Sequence, residues 1–191
     1  MKSSSVISIR DICFIAVFTA IIAVCAQISV PVTIAGVPLT LQTFAVMLAG
    51  IILGAKKGCV SVVIYVLIGA VGIPVFSGFT GGVAVIFGKT GGFILSFPLM
   101  ALCSGIFTYI SAMSHKNLPV MYLLIITGLI LGAIINYICG LLMFCFITSS
   151  SLRDGFIWCV LPFIPIDIIK IILSGVVGLN IKNIIAKNKI L

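Results

Sequence analysis

Acidic side chains are scarce in this chain: three aspartates and no glutamate stand against 11 lysines and arginines. There is one histidine, His115, in a polar stretch. The seven cysteines (Cys13, Cys25, Cys59, Cys103, Cys139, Cys145 and Cys159) form no Cys-x-x-Cys pair and are scattered through apolar runs. Each scarcity excludes something. Such cysteines read as small buried hydrophobes, not as a disulfide framework or a metal cluster. Few acids and hardly any hydroxyl–histidine pairing leave little equipment for covalent catalysis, so neither an enzyme activity nor a cofactor or metal is expected. The sequence also lacks a soluble domain, a low-complexity linker and a convincing internal repeat, so residues 1–191 are expected to form a single membrane domain.

Apolar residues are what is present. They make up 62% of 191 residues, with only 7% charged, more apolar surface than a soluble core of this size could hide. The composition predicts an all-α integral membrane protein. Segments near the ~20-residue span length run from about Ile12 to Val30, Leu39 to Ala55, Gly58 to Val75, Phe93 to Met113, Val120 to Thr148 and Phe156 to Leu179, giving six transmembrane helices with the second noticeably short. The net charge of +8 could suggest nucleic acid, but its placement argues for a membrane. A cytoplasmic N-terminus puts Lys2, Arg10, Lys56, Lys57, Lys116, Lys182, Lys187 and Lys189 on one side and only Lys89 and Arg153 on the other. That asymmetry satisfies the positive-inside rule with both termini cytoplasmic. The first span, ending near Val24-Cys25-Ala26, also has the outline of a signal peptide; it is expected to stay uncleaved as the first helix.

Two stretches opposite the lysine-rich side hold too much glycine and proline for plain helix. The first, Pro31 to Thr43, ends in a helix start carrying Thr40, Gln42 and Thr43. The second runs from Gly69 through Phe76, Phe79, Thr80, Gly81 and Gly82 to Phe87 and Gly92. Glycine permits close backbone approach and positive φ, and the phenylalanines offer flat apolar surface. Irregular backbone at membrane depth is tolerated only inside protein or along a cavity, so these loops are expected to cap a pocket; ordinary turns between spans are the alternative. Gly88-Lys89-Thr90 imitates the end of a phosphate-binding loop, but five residues rather than four separate Gly82 from Gly88. Gly91-Gly92 more plausibly eases the start of the fourth helix.

In the first helix Ala16, Ala20 and Ala23, with Thr19 and Ala26 widening the stripe, would let another helix approach closely; packing within the chain is the plainer use. The fifth helix carries Gly128, Gly132, Asn136, Tyr137 and Gly140. Adjacent residues face different directions on a helix, so only one of Asn136 and Tyr137 is expected to see a central pocket, and Tyr137 is favoured.

Asp167 is the one acid predicted inside a membrane-length apolar segment, with Lys170 three residues on. Three apart on a helix, a carboxylate and an ammonium can neutralise each other or grip one ligand together, and ionisable groups at this depth mark function by default. Pro162 and Pro165 just ahead suit either a helix that starts there or a kinked span. A pair that only fixes packing, or a proton-coupling acid, are the other readings.

The series Pro38-Leu-Thr-Leu-Gln-Thr43, Gly72-Ile-Pro-Val-Phe76 with Gly81-Gly82, Thr90-Gly-Gly92 and Pro165-x-Asp167-x-x-Lys170 resembles the BioY family, the biotin-binding S components of energy-coupling factor transporters. The resemblance covers nearly the whole chain. It implies a six-helix S-component bundle in the cell membrane, high-affinity capture of biotin from the outer face, and as partners a transmembrane coupling protein (T component) and two ABC-type ATPases. It assigns Asp167 and Lys170 to biotin, the loop from Phe76 to Gly82 to the lid, and Ala16 and Ala20 to the coupling protein. Two positions depart from the pattern: Lys89 stands where proline is expected, adding a cation near the pocket mouth, and Ile166 stands where glycine is expected. An S component for another vitamin, an autonomous permease, and a membrane enzyme acting on lipid are the competing functions.

Overall fold

The computed structural model describes residues 8–30, 36–113 and 118–188. Along the chain these form α1 (Ile9–Gln27), β1 (Ser29–Val30), β2 (Leu39–Thr40), α2 (Gln42–Leu53), α3 (Ala55–Ala70), α4 (Val83–Ile86), α5 (Gly91–Met113), α6 (Leu118–Thr148), α7 (Leu152–Cys159) and α8 (Ile164–Lys187). The two short strands pair antiparallel, Ser29 opposite Thr40 and Val30 opposite Leu39. His115, Lys2, Lys116, Lys189 and the Pro31 to Ala35 part of the first loop lie outside the described residues.

Among the described residues, four helices are long and apolar enough to cross a membrane: Ile9–Gln27, Gly91–Met113, Leu118–Thr148 and Ile164–Ile185. The broad surface of exposed aliphatic side chains, from Ile12 and Val24 to Leu123 and Ile169, is what a chain solvated by lipid requires. Helix α2 is different. At 12 residues it spans only about 18 Å, and it is buried along nearly its whole length, from Gln42 and Ala45 through Leu53. It is the centre of the molecule, enclosed by α1, α3, α5 and α8. This short apolar helix is thus surrounded by protein along its length.

The last expected span, Phe156 to Leu179, is not one helix. It divides into α7 and α8, with a break at residues 160–163. Pro162 has no N–H to continue α7, whereas Pro165 sits in the first turn of α8, where the missing donor costs nothing. The helix expected over Gly58 to Val75 likewise ends at Ala70, and the remaining residues turn back toward α1.

Arg10, Lys56, Lys57, Lys182 and Lys187 belong to the end of the molecule where α1 and α3 begin and α8 finishes. Ser8 caps α1 by accepting from the Arg10 N–H at 3.2 Å, and Asp11 accepts from the Ser8 N–H at 3.4 Å. Asp11 also receives the Lys57 ammonium at 2.6 Å, tying the start of α1 to the start of α3. Because both groups are partly solvated, this tie adds little to stability.

Packing between α5 and α6 is set by the glycines Gly128, Gly132 and Gly140 of α6. A Cβ at Gly140 would collide with the Phe93 ring, one at Gly128 with Phe107, and one on the facing Gly92 with the backbone carbonyl of Cys139. Backbone cannot move aside as a side-chain tip can. Gly92→Val is therefore expected to force the helices apart and destabilise the fold by about 1–3 kcal/mol. In thermal unfolding in detergent its midpoint should drop by several degrees, and Leu142→Ala, on an exposed position of α6, should leave it nearly unchanged.

Candidate ligand-binding site

The break before α8 aims the helix's first turn at the interior. Asp167 lies in that turn, its N–H donating to the Phe163 carbonyl at 2.8 Å, so the carboxylate stands where the helix dipole favours an anion. Asp167 and Lys170 are 6% and 5% exposed, which means that solvent supplies almost nothing to either charge. The protein supplies it instead. Lys170 Nζ donates to Asp167 Oδ1 at 2.7 Å, to the Thr40 carbonyl at 2.7 Å and to Thr43 Oγ1 at 3.1 Å, so all three ammonium protons are engaged. The Tyr137 hydroxyl donates to Asp167 Oδ2 at 2.5 Å. One residue from α8 thereby fastens the strand residue Thr40, the start of α2 and, through the carboxylate, α6.

These groups line a cavity of about 490 Å³, within the ~300–1,000 Å³ typical of small-molecule pockets. Asp167, Lys170, Tyr137, Gln42, Thr43 and Thr40 form its polar side; Phe93, Phe97 and Phe163 join Phe76 on the apolar side. Both glycine-rich loops reach it, one through Gly36 to Pro38, the other through Phe76 to Gly78 and Thr80. Carboxylate lone pairs not used by Lys170 and Tyr137 remain for a ligand N–H. The arrangement suits a ligand with a compact polar head and an apolar body.

Of the residues singled out in the sequence, Phe79, Gly81 and Gly82 fall outside the cavity lining, as does Phe87. Phe79 forms the tip of the turn closed by the Phe76–Thr80 bridge; its φ is 55° and its ring is 73% exposed. Gly81 fits against the Ile73 carbonyl, where a Cβ would clash, and the Gly82 N–H donates to the Gly69 carbonyl at 2.7 Å. These three shape the loop and do not touch the cavity. Asn136 corrects a second expectation, because it lines the cavity together with Tyr137. Consecutive on the helix, the two share the cavity because it wraps around that side of α6.

Gln27 went unnoticed in the sequence. From the end of α1 its side-chain amide donates to the carbonyls of Val75 at 3.2 Å and Phe76 at 3.0 Å, and its oxygen accepts from the strained Phe79 N–H at 2.9 Å. The same loop is held from beneath by Tyr65. Its hydroxyl donates to the Val75 carbonyl at 3.1 Å and accepts from Gln42 at 2.9 Å, while its ring meets Phe76 edge to face at 5.6 Å. A lone glutamine closing an apolar helix was the available signal; its partners, 48 to 52 residues away, were not legible.

Ala16 and Ala20 are exposed and Ala23 is half-buried; with Ile12, Val24, Ile64 and Ile68 they line an outward-facing apolar groove between α1 and α3. Of the two residues expected to widen this stripe, Thr19 does and Ala26 does not. Thr19 lines the floor of the groove while its hydroxyl donates to the Ser61 carbonyl of α3 at 3.0 Å, whereas Ala26 is fully buried and lies outside it.

The sequence profile of the BioY family matches residues 1–187. A protein of Pyrococcus horikoshii named probable biotin transporter BioY is 42% identical over 161 residues, covering 84% of this chain and 89% of that protein. A Thermotoga maritima protein named biotin transporter BioY is 35% identical over 171 residues, 88% of this chain and 93% of that one. Among solved structures, the S-component for biotin from an ECF-type ABC transporter superposes with a TM-score of 0.81 at 26% identity, over 92% of each chain.

Removing one partner of a buried ion pair leaves the other uncompensated. Asp167→Ala is expected to destabilise the fold by about 3–5 kcal/mol, and Tyr137→Phe, which removes a single bond to a charged acceptor, by about 1.5–3 kcal/mol. Ligand-free unfolding midpoints should rank wild type, Tyr137→Phe and Asp167→Ala in descending order, with Asp167→Leu/Lys170→Met recovering part of the loss.

Proposed function

Because the chain belongs to the BioY family, we propose that it is the biotin-capture subunit of an energy-coupling factor transporter. It is a multi-pass membrane protein and a transport subunit, not an enzyme. The observation that carries the biotin reading is a buried carboxylate opening into a cavity of small-molecule size: Asp167, paired with Lys170 and hydrogen-bonded by Tyr137, with acceptor capacity to spare.

Biotin joins a ureido ring, with two N–H donors and a carbonyl, to a thiophane and a chain ending in carboxylate. In this reading Asp167 accepts a ureido N–H. Lys170 has no spare proton, so it serves the ring carbonyl or the carboxylate either by releasing Thr43 or through the Thr43 hydroxyl. That hydroxyl accepts from the ammonium and so turns its own proton elsewhere. Gln42 supplies a further amide edge, and Phe76, Phe93, Phe97 and Phe163 cover the apolar body. Thr80 closes the rim from the second loop.

The remaining parts of the proposal concern orientation and partners. Residues 1–191 form one membrane domain with six spans, α2 and α3 being the short ones, in the cell membrane. The end bearing Arg10, Lys56, Lys57, Lys182 and Lys187 faces the cytoplasm, and the cavity takes biotin from the opposite side; the excess of basic residues at that end supports this. The groove at Ala16, Ala20 and Ala23 receives a helix of a transmembrane coupling protein, which two ABC-type ATPases drive from the cytoplasm.

Two experiments test these claims. Purified protein should bind biotin and desthiobiotin and should ignore thiamine and riboflavin in the same equilibrium series, and Asp167→Asn should weaken biotin by more than about 100-fold; unchanged affinity would remove the site. Ala20→Trp should abolish co-purification with the coupling protein and ATPases while leaving biotin affinity within about threefold of wild type, since the groove and the cavity share no lining residue.

A further inference from the structure

Asn136 is 2% exposed and lines the cavity, yet it plays no part in the charge cluster around Asp167. Its orientation is dictated. Both amide protons are held by α5, one donated to the Phe93 carbonyl at 2.8 Å and the other to Ser96 Oγ at 2.8 Å. A carbonyl can only accept, so the nitrogen must face Phe93. Ser96 directs its single proton at the carbonyls of Gly92 at 2.8 Å and Phe93 at 3.0 Å, so toward Asn136 it too is an acceptor. With the amide locked, Asn136 Oδ1 points away from α5. It has no hydrogen-bond partner among the described residues, and it is not sealed in, because the one sealed, unpartnered side-chain polar atom among them is Ser174 Oγ. The free oxygen therefore meets the space of the cavity.

A fixed, neutral, nearly buried acceptor on α6 thus faces the same cavity as the charged acceptor on α8, and Tyr137, the next residue along, joins the two helices through Asp167. We propose that Asn136 Oδ1 is a specificity-determining group that accepts the second N–H of the ureido ring while Asp167 accepts the first. This rests on the biotin reading above. Two acceptors on different helices fit a cyclic urea, whose N–H groups flank the carbonyl. A ring with one N–H leaves one acceptor buried without a partner, and such an orphan weakens binding by about 10- to 100-fold. The tie to α5 matters as much as the oxygen, because an amide free to rotate would present N–H and oxygen alternately.

The test uses biotin and its two carbamate analogues, each with a ring oxygen in place of one ureido N–H. Wild type should bind both carbamates about 10- to 100-fold more weakly than biotin. Asn136→Ala should bind biotin more weakly and bring one of the carbamates to within about threefold of it, leaving discrimination against the other to Asp167. Ser96→Ala, which removes one of the two ties on the amide but keeps the oxygen, should lose part of the same discrimination and none of the other. Full discrimination against both carbamates in Asn136→Ala overturns the assignment. Should that variant fail to fold, wild-type binding of either carbamate within threefold of biotin overturns it equally, since only one N–H would then be read. Failure of the biotin reading looks different: wild type would bind neither biotin nor its analogues.

Discussion

A charge pair without water organises the binding half of this molecule. Asp167 and Lys170 are each almost wholly removed from solvent, and two such ions persist only where hydrogen bonds replace what hydration would have given. The requirement is met from four directions: the first turn of α8, the Tyr137 hydroxyl of α6, the Thr40 carbonyl of β2 and the Thr43 hydroxyl of α2. Elements far apart in sequence are drawn to one point because an ammonium has three protons and each must be placed. The break between α7 and α8 belongs to the same arrangement, since a continuous helix would have no first turn to hold the carboxylate.

Around that point, polar groups are few and most serve two neighbours at once. Gln42 donates to Tyr65, which donates to the loop carbonyl of Val75; Asn136 binds a carbonyl and a hydroxyl of α5. In a chain so apolar the hydrophobic effect distinguishes poorly between one helix face and another, because lipid is as good a solvent as protein. Specific pairing comes instead from close glycine contacts and from these polar bonds. The Gly92, Gly128 and Gly140 contacts bring α5 and α6 near enough for the Asn136 amide to reach across.

The charge pair was readable from sequence because a lone acid in an apolar run is conspicuous whatever the fold. Residues needed for loop shape were not separable from residues needed for contact: Phe76 and Phe79 look alike in sequence, yet one is buried beside the cavity and the other is exposed at a turn tip with positive φ. The division of the last apolar segment was ambiguous because prolines permit either a kink or a new start. The choice depends on whether α7 and α8 have separate packing partners, which is a tertiary matter. The prediction for Asn136 failed because it treated the pocket as a narrow sector beside α6, whereas the cavity extends round two adjacent positions. Ala26 fits the spacing of the exterior stripe, yet it is fully buried, because the end of α1 is covered where the chain turns into β1.

Helix α1 is tied to the same neighbour region at three heights: Asp11 to Lys57 at one end, Thr19 to the Ser61 carbonyl midway, and Gln27 to the loop that follows α3 at the other. Fasteners at both ends and the middle make two rods into a plank. The turn carrying Phe76 is nailed to the top of that plank, and Thr40 on the opposite rim is moored twice, to α8 through the Lys170 ammonium and to the end of α1 through its pairing with Ser29, so the short β pair is the joint at which α1 and α8 meet across the cavity.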